Sequence, residues 1–400
     1  FIKLDEAPDC TQCGSLMEET TLTEDSEELS YKPREYFIKR KRRIKYRCRC
    51  NECLVTTPVM PKIRPGSAFS DELMLNVVVS KYSHLIPIER YAQMAREAGV
   101  DLAPNSLIEL THYVAAFFGQ LFEAIKQEVL SAYVLHADET PHKMLEGDEK
   151  CNWHLWGFSS ELACYYEAHP TRSGSVASDV IEVSKADYIV TDVYSGYKKA
   201  ITDGNERRGK KDLPPMKSAY CNAHARRKFI EAQKNYDEAS IFIKIYQKIY
   251  RLNDNSHNLP VKTKLAWQSL YMRLMKRKAL ELETLNSTKS SIGKAIQYFL
   301  KNFEGLNLFT TDHRIPTDNN LQERLLRAPV VGRKTWYGNH SKKGAETSAI
   351  LFSIAQSCKL NHLDPMAYML ATTEDILRKR QFYTPAKFKD RPPNLGNYCT

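Results

Sequence analysis

Two short apolar runs in the middle of the chain, YVLHADET at 133–140 and DYIVTDVY at 187–194, constrain its fold more than anything else in the sequence. Each is shorter than an ordinary buried helix, each is rich in β-branched and aromatic residues, and each runs into an acid at or near its end. Buried strands with carboxylates at their C-terminal ends belong to α/β sheets, which place their sites along that edge. Three further runs, NWHLWGF at 152–158, ACYYEAH at 163–169 and SAYCNAH at 218–224, read as strands, and residues 173–183 read as a helix between them.

Helical periodicity flanks this block. Ile88, Tyr91, Ala92 and Ala95 fall on one helical face. Gly99 ends that helix and Pro104 opens the next, along which Leu107, Leu110, Val114, Phe117 and Leu121 keep one stripe. Two helices joined by GVDLAP have the form of a helix-turn-helix. Residues 230–310 show no strand pattern. Ile241, Ile245 and Ile249 share a face, flanked by Phe242, Tyr246 and Tyr250, and Leu270, Leu274, Ile292, Ile296 and Phe299 continue the theme. An all-helical insertion is expected there, preceded by an exposed ERRGKKD linker at 206–212. Further on, Leu321, Leu325 and Ala328 make a stripe that Pro329 is expected to end. Residues 343–360 form another helix, and the Pro- and Lys/Arg-rich tail after 378 is expected to be extended.

Three carboxylates stand out against this background. Asp138 and Asp192 end strands, and Glu323 lies on the helix of TDNNLQER, where Asn320, Glu323, Arg324 and Arg327 share a polar face. Two strand-end acids and one helix acid can converge on a pair of divalent cations. Oxygen ligands suit Mg²⁺ or Mn²⁺, and two such ions about 4 Å apart assist phosphoryl transfer. Any one of these acids alone is more simply a turn former or a helix cap; the order of the elements around all three favours a site. Asp318 is most simply a cap, though it rivals Glu323 as a ligand.

The front of the chain carries Cys10-x2-Cys13 and Cys48-x-Cys50-x2-Cys53. Two CxxC pairs form the pattern of a tetrahedral structural Zn²⁺ site. Cys10, Cys13, Cys50 and Cys53 are the expected ligands, with Cys48 as the substitute. Just before the second pair, residues 39–49 hold eight Lys or Arg and no acid. Lys41, Arg42 and Arg43 there can meet phosphates, or simply form a solvated face. Cys221-x2-His224 is half of a metal pattern with no second half near in sequence, so packing at a strand end is its simpler reading. Arg226 and Arg227 beside it, Arg324, and Arg333 and Lys334 in the GRKTWYGNHSKKGAE segment at 332–346 are further candidates to meet a phosphate backbone. That last segment leads into a helix start that can hold a phosphate, or is a plain basic loop. Neither a P-loop nor a Ser-His-Asp arrangement is present.

The formal charge of +10 favours a polyanionic partner without naming it. The absence of any run of 18 apolar residues excludes a membrane-spanning helix. Cysteines clustered at the front, rather than spread as a disulfide framework, point to a reducing, cytoplasmic compartment. The chain opens on Phe1 and not Met, so upstream residues are expected.

The runs HADETP, TDVYSGY, CNAHARRKF, NNLQERLLR and VGRKTWYGN, followed by GAETSAILFSIAQSCKLNHLDPMAYM, resemble in that order the IS66 family of insertion-sequence transposases. The resemblance implies an RNase-H-like catalytic core with a DDE triad on Asp138, Asp192 and Glu323, served by two Mg²⁺ or Mn²⁺. It implies a multidomain α/β chain: a zinc-binding domain at 1–60 with one structural Zn²⁺, a helix-turn-helix-like DNA-binding region at 61–130, core segments at 131–229 and 313–370 around a helical insertion at 230–312, and a tail at 371–400. It further implies Mg²⁺-dependent cleavage and strand transfer at terminal inverted repeats of double-stranded DNA. A homo-oligomer on DNA, accessory proteins of the same element, and a nucleoid-associated place in a bacterial cytoplasm go with it. Asn51, where many relatives carry the second of the paired cysteines, leaves the choice of zinc ligands open, and the tail after 370 does not match. The alternatives are a catalytically inactive DNA-binding regulator derived from such an enzyme, which the presence of all three acids argues against, and a structure-selective RNase-H-like nuclease, which would not need terminal sequences.

Overall fold

The computed structural model describes residues 6–22, 26–30, 35–50, 52–145, 152–254 and 259–392; Phe1, Asn51 and the tail from 393 onward lie outside the described residues. The chain divides into two compact units, Phe1–Lys41 and Arg42–Thr400. The first has little regular structure among its described residues; a turn at Cys10–Ser15 is closed by the Asp9–Leu16 bridge. The second begins with a small exposed hairpin of β1 (Lys45–Arg47) and β2 (Leu54–Thr56).

Four helices follow: α1 (Asp71–Tyr82), α2 (Ile88–Glu97), α3 (Pro104–Phe117) and α4 (Gly119–Leu130). The Ser70 side chain accepts the Leu73 N–H and caps α1. Helix α2 buries Ile88, Tyr91, Ala92 and Ala95, the face its spacing predicts, and Gly99 leaves it with φ +84°. The stripe from Leu107 to Leu121 is not one helix. Phe118 has φ −87° and ψ 12°, and its fully buried ring breaks the run between α3 and α4.

The sheet is built from β3 (Val134–Lys143), β4 (Asn152–Ser159) and β5 (Cys164–His169), then, after α5 (Ser175–Val183), β6 (Tyr188–Thr191), α6 (Ser195–Gly209) and β7 (Lys217–Tyr220). Its order is β5-β4-β3-β6-β7. Strands β3, β4 and β5 form an antiparallel meander, while β6 and β7 run parallel to β3. This five-stranded mixed sheet among many helices is an α/β fold consistent with an RNase-H-like DDE core. The ERRGKKD segment is not a plain exposed linker: α6 runs through Gly209, and Arg208 is buried. Its guanidinium donates to the carbonyls of Ile181, Ser184 and Pro214, which offsets the cost of burying the charge.

Beyond β7 the chain is helical: α7 (Asn222–Gln233), α8 (Ala239–Asp254), α9 (Val261–Glu283), α10 (Ser291–Lys301) and the short α11 (Phe303–Asn307). Only SAY of the SAYCNAH run is strand; Cys221 caps α7, and Asn222 to His224 are its first turn. The helices close around Phe229, Phe242 and Phe299, the first two stacked at 4.2 Å. That stack rotates α8 so that Phe242, Tyr246 and Ile249 face inward, while Ile241 is exposed.

Helices α12 (Asn320–Trp336), α13 (Lys342–Leu360) and α14 (Pro365–Leu377) complete the fold. Pro329 does not end α12; it sits buried within it. A proline inside a helix strands the carbonyl four residues earlier. Here that carbonyl, of Leu325, accepts the Tyr166 hydroxyl at 2.8 Å, so the helix continues. Helix α13 lies along the edge strand β5, where Ser353 and Ser357 accept the N–H groups of Tyr166 and Cys164 and cover the edge. The tail is not simply extended. It packs back through a 3₁₀ turn at Pro385–Asp390, with Arg391 paired to Asp375 at 2.7 Å and the Tyr368 hydroxyl donating to the Tyr383 carbonyl. Among the described residues no helix is long and apolar enough to cross a membrane.

Candidate active site

The register of the sheet brings the segments that carry the two aspartates together. His136 of β3 pairs with Val190 of the parallel β6. That is the last rung of the pair; Asp138 and Asp192 each lie two residues beyond it along their own segments, near enough that the charge of Asp192 acts on Asp138. The two-residue period also separates the adjacent acids of HADET. Asp138 shares the α12 side with His136 and Thr140, while Glu139 points to the opposite side. There it accepts hydrogen bonds from Arg172 at 2.7 Å and the Tyr197 hydroxyl at 2.6 Å.

Two features aim α12 at this point. The first is Asn319, buried just before the helix. Its Nδ2 donates to the Ala137 carbonyl at 2.9 Å, so its Oδ1 takes the Nδ1–H of His136 at 2.8 Å. Burial lowers His136 from the ordinary histidine range, which favours the neutral ring that keeps that tautomer. The backbone N–H of Asn319 donates to the Cys221 sulfur at 3.2 Å, and its carbonyl accepts the N–H of Glu323 at 3.1 Å. One residue thus ties β3, the end of β7 and the first turn of α12. The second feature is Gly157, which pairs with Asp138 across β3 and β4. A Cβ there would stand 2.1 Å from Nε2 of the buried Gln322, so the Gln322 side chain would have to give way to any larger residue.

The electrostatics follow from this crowding. Burial, and then the negative charges of Glu139, Asp192 and Glu323, push the Asp138 carboxyl up to about 7, against the single N–H that Glu139 donates to it. Asp192 accepts the N–H of Tyr194 at 3.0 Å. Oε1 of Glu323 is buried without a hydrogen bond, 3.9 Å from Nδ1 of His224. Among the described residues the one cluster of three metal-ligating side chains whose ligand atoms lie within 4.8 Å of one another is Cys221, His224 and Glu323, not the three acids. The CxxH motif lacked a nearby partner in sequence; its partner is a helix almost a hundred residues further on. Asp318 lies one residue before the N-cap of α12 and accepts from the backbone and side chain of Asn320.

The basic candidates divide by exposure. Arg227, Arg324 and Lys334 are exposed, and Arg226 is half-buried. Arg333 reaches back to Thr140 on β3 at 3.3 Å, which places a guanidinium two residues from Asp138. Beside the start of α12 a polar hollow of about 340 Å³ gathers Lys264, His313 and Arg324. Arg42 and Arg43 are exposed in the second unit, and Lys41 is exposed in the first. Cys10 and Cys13 occupy one tight turn, in which the Cys10 carbonyl accepts the Gly14 N–H at 2.8 Å. Separately, Cys50 lies 3.0 Å from Cys48, and the Cys48 N–H donates to the Cys53 carbonyl. Hydrogen bonding with Ser15 at Cys13, and with Cys48 at Cys50, holds both thiols below the usual cysteine range.

The chain is 28% identical over 394 residues to the uncharacterized protein y4jD of Sinorhizobium fredii, covering 93% of this chain and 75% of that one. It is 25% identical over 392 residues to the uncharacterized protein y4hP of the same organism, covering 90% and 69%. The profile of the transposase IS66 family matches residues 66–347, which include Asp138, Asp192 and Glu323 as well as Cys221 and His224. The match takes in well over half of the sequence, and the chain belongs to the IS66 family of DDE transposases.

Proposed function

We propose that the chain cleaves and rejoins double-stranded DNA at the terminal inverted repeats of an insertion sequence, with Asp138, Asp192 and Glu323 as its catalytic carboxylates. The observation that supports this reading is the charge that Asp192 and Glu323 both exert on the buried Asp138, two residues past the last rung that β3 shares with the parallel β6 and beside a helix that Asn319 holds against β3. Divalent cations fit the donor set. The side chains are hard oxygen donors, Asp138 is crowded by like charge, and no Lys or Arg forms an ion pair with Asp138 or Glu323 among the described residues. Asp138, Asp192 and Glu323 would hold two Mg²⁺ or Mn²⁺, which when bound supply Lewis acidity to the attacking and leaving oxygens. The rest falls to the protein. Arg333, Arg324, Arg226 and Arg227 hold the phosphate backbone in register, and Lys334 adds charge at the end of α12. Water then attacks the scissile phosphodiester, and the freed 3′-OH attacks target DNA. The α2–α3 pair, with Lys41, Arg42 and Arg43 nearer the front, contributes DNA binding, and the assembly acts as a homo-oligomer on paired ends. Asp138→Asn should keep end-binding and abolish nicking in Mg²⁺; nicking at the wild-type rate would overturn the assignment.

The structural Zn²⁺ of the front cysteines belongs to the same reading and rests on their sequence spacing. Replacing Cys10 and Cys13 together by Ser should lower the zinc content by one equivalent per chain; an unchanged content refutes it.

A further inference from the structure

We propose that Cys221, His224 and Glu323 form a second, chemically softer cation site that takes Zn²⁺ and shares one carboxylate with the triad. The site is built by two elements. Cys221 caps α7 and His224 lies on its first turn, three residues apart and so on one face. Glu323 descends from the first turn of α12. The sulfur, imidazole nitrogen and carboxylate oxygen all lie within 4.8 Å of one another. Two of the three atoms ask for a partner: His224 Nδ1 and Glu323 Oε1 are both buried and neither has a hydrogen bond. The third, the sulfur of fully buried Cys221, is a free thiol that accepts the backbone N–H of Asn319, the kind of outer bond that orients a metal-bound sulfur.

One thiolate, one imidazole and one carboxylate is a zinc donor set with a fourth position open. It is a poor set for Mg²⁺, which takes oxygen and avoids sulfur. Loading exchanges the Cys221 thiol proton, released to solvent, for the cation. If Glu323 serves the phosphoryl-transfer site proposed above, Zn²⁺ held through Cys221 and His224 draws that carboxylate away from the catalytic cations and inhibits the enzyme; this consequence, unlike the binding itself, rests on that reading.

Co²⁺ titration of the full chain, followed by metal count and by the thiolate-to-cobalt absorption band, tests the site directly. Cys221→Ser and His224→Gln should each bind one equivalent less than wild type. The front cysteines are untouched in both variants, and His224→Gln keeps every thiol, so the second variant decides the matter should the first fail to fold. Equal Co²⁺ stoichiometry in wild type and His224→Gln overturns the proposal. For the inhibitory consequence, the ratio of Mg²⁺-dependent nicking with and without added Zn²⁺ is compared within each protein. Zn²⁺ should depress the wild type and spare the variants; equal depression in all three refutes the shared carboxylate. A chain that binds the extra Co²⁺ but nicks no DNA keeps the site and discards the catalytic reading.

Discussion

Replacing Asp138 by Asn should make the protein more stable at pH 8 when no Mg²⁺ is present. The folded chain raises the Asp138 carboxyl from 3.8 to about 7. The folded state therefore binds this proton more tightly than the unfolded state. The resulting stability is fully present below about pH 4 and is lost as pH rises through 7. At about 1.36 kcal/mol for each tenfold in proton affinity, the loss between those limits comes to about 4 kcal/mol. Asn carries no proton to lose and keeps an oxygen for the Glu139 N–H. The two proteins should thus match near pH 4 and diverge steadily above it. With an unfolding entropy of roughly 2.1 cal/mol/K per residue across a unit of some 360 residues, 4 kcal/mol appears as roughly 5 °C in Tm at pH 8. The measurement is a series of thermal melts between pH 4 and 8.5 in Mg²⁺-free buffer without chelator, so that any structural zinc stays in place. Adding Mg²⁺ should then raise the wild-type melt and leave the variant where it was; at a hundredfold excess over Kd the gain is about 2.7 kcal/mol. A variant that melts with or below the wild type at pH 8 would show that Asp138 is not crowded by its neighbours, and the argument for a cation site at the strand ends would fail with it.

Two further outcomes follow from how α12 is seated. Gly157→Ala puts a methyl carbon 2.1 Å from Gln322 Nε2, so it should cost about 1–3 kcal/mol and shift Glu323, lowering nicking far more than DNA binding; pairing it with Gln322→Ala should restore part of both, and a single variant as active as wild type would refute the close-approach argument. Tyr166→Phe removes the hydroxyl that satisfies the Leu325 carbonyl opposite Pro329, for about 1–3 kcal/mol in urea denaturation. Pro329→Ala in the same background should recover that loss by supplying the missing N–H, and no recovery would mean that the hydroxyl is not what keeps the helix running through the proline.

The strands were legible because their message is local. Alternation, β-branched content and terminal acids are written within eight residues, and β3 and β6 carry them where YVLHADET and DYIVTDVY place them. The same holds for α2, bounded by Gly99 and Pro104, and for α13. What stayed hidden depends on partners far along the chain. Pro329 ends a helix by every local rule, and only a hydroxyl on β5 makes it an interior residue. Arg208 belongs to a charged run that ought to face water, until four carbonyls, of Ile181, Ser184, Ala186 and Pro214, enclose its guanidinium. Ile241 and Ile245 keep helical spacing as well as Phe242 and Tyr246 do, and the choice between the two stripes falls to the Phe229 ring.

The candidate site shows the same division at closer range. Asp192 follows directly on the end of β6 as its sequence suggests, whereas β3 runs on to Lys143 past Asp138, because Glu139 to Lys143 keep pairing with β4; and nothing near Glu323 in sequence says which strand its helix crosses. That is settled by Asn319, whose amide reaches β3 while its backbone reaches Cys221 and Glu323. A side chain with no chemistry of its own to offer the reaction therefore fixes the distance between the acids on the sheet and the acid on the helix. It also explains why Cys221 and His224 come to Glu323 at all: the amide that holds the helix against β3 is donated by the residue whose N–H rests on the Cys221 sulfur. A displacement of Asn319 would move the Glu323 carboxylate relative to both groups of side chains at once, so an Asn319→Ala variant should disturb both proposed cation sites together.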